Sequence, residues 1–108
     1  MDYSQDIKRT VSANVSVVLI SVTGDGETAR PSRGPNGIYY HSSEFIIEKL
    51  LYSGSGDYSK TGLTLFPAPP KGAKRFFVFP REAGNWVPYS EEAERSISQA
   101  VAGAMLEP

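Results

Sequence analysis

Cysteine is absent from all 108 residues, which excludes disulfides, thiol nucleophiles and cysteine metal sites. Histidine occurs once, as His41, so the chain alone cannot supply the paired His or His–Cys sets that usually hold zinc, and no metal or cofactor is expected. No stretch approaches the roughly 18 apolar residues that span a bilayer. Residues 1–9 also lack the apolar run of a secretory leader, so the expected setting is cytoplasmic, with no membrane partner. Neither charge is in surplus: 11 Lys and Arg stand against 12 Asp and Glu, and the formal net charge is -1. Nothing in that balance recruits nucleic acid, which is not an expected partner.

What is present is globular composition. Forty per cent of residues are apolar, and one Trp, six Tyr and five Phe can fill a core. The length suits one domain, and the reading is a loose polar N-terminus over residues 1–9 followed by a single α+β domain over 10–108. Charge is unevenly placed. Five bases and no acid lie between Lys60 and Arg81, whereas five acids and one base follow from Glu82 onward. A basic strand region lying against an acidic helix accounts for this.

Val11, Ala13, Val15, Val17 and Leu19 alternate with polar residues and predict a strand, which fills in at Val17-Val18-Leu19-Ile20 as a central one would. Gly24 to Gly37 holds four glycines and two prolines without apolar periodicity and is read as one long loop, the first place to seek a binding surface. Ile38-Tyr39-Tyr40 is a short strand. Ile46, Ile47, Leu50 and Leu51 have the i, i+3, i+4 spacing of a helix stopped by Gly54, although the β-branched pair Ile46-Ile47 also suits a strand. Leu63–Phe66 and Arg75–Phe79 are expected to pair as a hairpin across the proline-rich turn, with Trp86-Val87 as an edge strand closed by Pro88. Ser90 caps a terminal helix with the stripe Ala93, Ile97, Ala100, Val101, Ala104, Met105. The predicted fold is a two-layer α+β arrangement: an antiparallel sheet of about four strands in β-α-β-β-β-α order, with helices packed on one side. Apolar residues on both faces of Phe76–Phe79 leave a second sheet face to cover, and a homodimer is one way to cover it.

Chemistry-bearing patterns are sparse. Gly24, Gly26 and Ala29 follow a strand at dinucleotide-turn spacing, but Arg30-Pro31-Ser32-Arg33-Gly34-Pro35 cannot open the helix whose N-terminus would take the pyrophosphate. Arg30 and Arg33 are a candidate fork for phosphate or carboxylate. His41 beside Ser42 and Ser43 is a candidate base, without a visible orienting acid. Lys74-Arg75-Phe76-Phe77-Val78-Phe79 mixes bases with aromatics, but the glycines of an RNA-recognition strand are missing and Pro80 stands where its last aromatic belongs. The expected function is therefore a non-catalytic protein-interaction domain that self-associates as a homodimer and meets an unidentified protein partner. Candidate contacts are Arg30, Arg33, Tyr39, Tyr40 and His41. The alternative is a small-anion or nucleotide-like ligand domain, or a small enzyme of that kind, using the 24–37 loop and His41.

Overall fold

The computed structural model describes residues 2–28, 37–55 and 62–106. Along them run helix α1 (Ser4–Ser12), strands β1 (Val17–Val22), β2 (Glu27–Thr28), β3 (Ile38–Tyr40), β4 (Phe45–Tyr52), β5 (Leu63–Leu65), β6 (Arg75–Arg81) and β7 (Gly84–Pro88), and helix α2 (Glu91–Leu106). Four strands make an antiparallel sheet in the order β4-β1-β6-β7, and β2-β3-β5 make a smaller antiparallel one. Both helices pack on one side of the larger sheet, giving the α+β class the composition and patterning predict. The order of elements differs from that reading at three segments, α1, β2 and β4.

Strands β1 and β6 are the inner pair, and alternation explains why each is apolar throughout. Val17, Leu19, Phe77 and Phe79 face the helices, where they meet Ile7 of α1 and Ala93, Ile97 and Val101 of α2. Val18, Ile20, Phe76 and Val78 face the other way, onto Tyr40, Leu63 and Leu65 of the small sheet. Phe76, Phe77 and Phe79 are wholly buried. Removing one such ring from water is worth about 1.5–3 kcal/mol. The far face of β6, for which a second copy was offered as cover, is thus closed by β3 and β5 of the same chain and is not open to another molecule.

Residues 4–12 are helical rather than loose. Tyr3, Ile7, Thr10 and Val11 recur at i, i+4, i+7 and i+8, and all four pack toward the helix-side core or are buried. The buried Thr10 hydroxyl donates to the Asp6 carbonyl at 2.7 Å, which removes the cost of burying it. The helix closes with Asn14 at φ 57, the Val15 amide donating to Thr10 O (3.0 Å) and the Asn14 amide to Val11 O (2.9 Å). That is a Schellman closure with Asn in the left-handed position. Val11 therefore belongs to α1, and the strand begins only at Val17. In α2 the Ser90 hydroxyl accepts the Ala93 amide at 3.0 Å, as its N-cap position requires, and Ala93, Ile97 and Val101 are buried while Met105 is exposed.

Residues 45–52 form a strand, not a helix. Against six residues of β1, β4 spends eight, with register shifts that leave Glu48 and Leu51 as extra residues. Each bulge interrupts the two-residue alternation, so Ile46, Ile47, Leu50 and Leu51 take on helix-like spacing while the chain stays extended. Gly54 stops nothing; its amide donates to Ser16 Oγ at 2.8 Å. The expected β5–β6 hairpin does not form either. β5 pairs with β3 (Ile38 opposite Leu65, Tyr40 opposite Leu63), because Leu63 and Leu65 complete the small-sheet core while β6 is already flanked by β1 and β7. β7 is an edge strand ending at Pro88, as predicted.

Candidate functional site

The loop following β1, strand β3 and the 3-10 turn Ser42–Glu44 converge at one end of the small sheet, and Glu44 joins them. Its backbone carbonyl accepts the amides of Thr23 (2.6 Å) and Gly24 (3.0 Å). Its carboxylate accepts the His41 amide on Oε1 and the Gly26 amide on Oε2, both at 2.9 Å. Those two amides hold the carboxyl below its ordinary pKa. Gly26 lies at φ +73 with Tyr40 and Ile38 against it, a position and space that a side chain would not share. Within the stretch read as one long loop lies β2, whose Glu27 and Thr28 pair with Tyr39 and Ile38.

Among the sequence-predicted residues, Tyr39, Tyr40 and His41 fall on this corner, and alternation separates them. Tyr40 is buried in the small-sheet core, where burial, with the charges of Glu44 and Asp25 behind it, raises its phenol above the ordinary value and keeps it a neutral hydroxyl. Tyr39 turns outward with His41, their rings edge-on at 5.0 Å. Arg30 and Arg33 lie outside the described residues. Ser42 and Ser43 are exposed beside His41, and the Glu44 carboxylate accepts the backbone amides of Gly26 and His41. A cavity of about 600 Å³ opens between Gly24-Asp25, Tyr40 and the turn carrying Lys71 and Lys74. Its two exposed ammonium groups and a buried phenol are groups that can receive an anion, and the Asp25 carboxylate lines the same cavity. Among the described residues no three His, Asp or Glu side chains converge as a metal set would, and no helix is long and apolar enough to cross a membrane.

The second candidate is strand β4, which sequence reasoning placed in a helix and so missed. It is one of the two outer strands of the larger sheet, and Ile46 (57%), Leu50 (53%) and Ile47 (37%) are the exposed large apolar residues of that sheet among the described residues. The enrichment of Phe45-Ile46-Ile47 and Tyr52 in β-branched and aromatic residues is the signal that could have found it. Its charges are paired inward. Glu48 accepts two hydrogen bonds from the Arg75 guanidinium (2.9 and 3.0 Å), which also lies over the Tyr89 ring, and Lys49 Nζ donates to Glu94 of α2 at 3.0 Å. Strand β4 thus lies between the basic β6 and the acidic α2, with one ion pair to each. Compared with protein-family models, curated proteins and solved structures, the chain matches none, so its function is read from this geometry.

Proposed function

We propose that this chain is a non-catalytic protein-interaction domain that associates with itself. The observation that supports the reading is the β4 edge: a strand paired on one side only among the described residues and carrying three exposed aliphatic side chains, on a sheet whose two faces are covered by the chain's own helices and small sheet. Such an edge is a template for strand addition, and proteins that do not use one usually blunt it with exposed charge or proline. In β4 the two central charges, though exposed, are engaged by Arg75 and Glu94 of the same chain. The cytoplasmic setting belongs to the same proposal. Molar mass by light scattering across a dilution series tests the reading: a mass moving from monomer toward dimer with concentration is expected, and a monomer at every concentration overturns it.

A second reading is favoured by one feature, the cavity beside Lys71, Lys74 and Tyr40, which suits a small anion such as a phosphate or carboxylate. It predicts a salt-sensitive rise in melting temperature with phosphate or nucleotides that the double variant Lys71→Ala/Lys74→Ala loses. An unchanged melting temperature across those anions removes it.

A further inference from the structure

We infer that self-association has one geometry: β4 of one protomer pairs antiparallel with β4 of its partner about a two-fold axis passing between Glu48 and Lys49. The two larger sheets, four strands each, then join into one continuous sheet. This inference rests on the self-association proposed above and goes further by fixing the surface and the register.

The first argument is the sequence of the edge. Ile46-Ile47-Glu48-Lys49-Leu50-Leu51 reads apolar, apolar, acid, base, apolar, apolar, and the reversed order is the same with the charges exchanged. Antiparallel pairing about its centre therefore sets Glu48 opposite the partner's Lys49, Ile47 opposite the partner's Leu50 and Ile46 opposite the partner's Leu51. Both signs are matched at once, and the other two pairs within Ile46–Leu51 are aliphatic, the combinations that stabilise neighbouring strands.

The second argument is which way the side chains point. A two-fold axis perpendicular to a sheet keeps each face on its own side, so residues opposed across the axis must share a face. In a regular strand Glu48 and Lys49 point oppositely, and this pairing is forbidden. The bulge at Glu48 changes that. Lys49 pairs with Leu19, on the helix face, and reaches Glu94 of α2; Glu48, the extra residue, reaches Arg75 and also lies on the helix face. Ile47 and Leu50 pair with Ile20 and Val18, whose side chains enter the small-sheet core, so both lie on that opposite face. Ile46 pairs with Ser21 on the helix face, and Leu51 packs against the helix-side core. All three opposed pairs satisfy the symmetry because of the bulges, which would work against pairing with an unrelated regular strand, whereas Phe45 and Tyr52 lie on opposite faces, so the pairing ends at Ile46 and Leu51.

The third argument is charge. On the helix face the dimer lines up Arg75, Glu48, the partner's Lys49 and the partner's Glu94, alternating in sign, with the same row repeated by symmetry. The bonds within each protomer remain in place while each inner charge gains a neighbour of opposite sign.

Charge reversal tests this directly. Glu48→Lys alone sets lysine against lysine at both central pairs, and Lys49→Glu alone sets glutamate against glutamate. Each variant is expected to weaken dimerisation by about tenfold or more, whereas an equimolar mixture of the two restores a dimer containing one of each. Restoration on mixing cannot come from a chain that has failed to fold, and the circular dichroism of each variant checks this separately. Should either variant not fold, amide exchange of the wild-type protein carries the test. Protection at Ile46–Leu51 is expected to rise with concentration, and protection that does not change overturns the proposal. A wild-type dimer that both variants match, or variants whose mixture stays monomeric, overturns the β4 register while leaving self-association standing. A wild-type protein that is monomeric throughout removes both.

Discussion

Glu44 spends its side chain on two backbone amides and its carbonyl on two more, so a single residue fixes the loop after β1 to the turn before β4. A carboxyl whose folded pKa is depressed contributes stability above its unfolded value, and that contribution is lost as pH falls through the folded value. Glu44→Gln keeps the shape without the charge. The wild type should therefore lose stability faster than the variant on acidification, the two curves converging at the acid end, as urea midpoints measured between about pH 7 and pH 3 will show. Gly26 sets the limit of what this corner tolerates. Alanine there meets a φ of +73 and places its Cβ 2.8 Å from Tyr40 Cε1, so Gly26→Ala should cost about 1–3 kcal/mol. Gly103 in α2, with nothing within 4 Å of an added Cβ, is the control, and Gly103→Ala should gain up to about 1 kcal/mol in the same denaturation assay.

At the scale of elements, α2 depends on a cap that can be removed without touching the core. Ser90→Ala leaves the Ala93 amide without its side-chain acceptor and should cost about 1 kcal/mol, read from thermal or urea unfolding. That helix was legible in the sequence because its stripe, its cap and its acidic first turn all lie within one continuous segment. The first helix carried a stripe as well, but one member, Thr10, is polar, and Val11-Ala13-Val15 happened to alternate in phase with the true strand that follows. Strand β4 was misread because its two bulges imitate a helical period, and a bulge is set by the partner strand, which local sequence does not name. The choice of β3 over β6 as neighbour for β5 depends likewise on a core assembled from distant segments. Of the candidate site residues, the sequence groups Tyr39, Tyr40 and His41 as contacts and carries no sign that Tyr40 is core. The β4 edge stayed hidden until the segment was seen to be extended.

For the whole molecule, β6, like β1, is a strand that both cores share. Phe77 and Phe79 belong to the helix side, Phe76 and Val78 to the small-sheet side, and Trp86 sits edge-on to Phe76 at 5.2 Å. The one tryptophan therefore reports on one core, while far-ultraviolet circular dichroism at the helical minimum reports on the other. Phe76→Ala and Phe77→Ala should each cost about 3–5 kcal/mol. Each should also move the tryptophan and helix transitions together, because neither core can keep its packing once β6 is displaced; separate transitions would show that the two sides unfold independently. The two-sided strand also shapes how the gene can drift. Along most strands every second codon is free to take up polar changes, but the codons for residues 76–79 have no such alternate sites. Under random mutation this protein should hold those four positions as an unbroken aliphatic and aromatic run, while the rim of the fold changes around them.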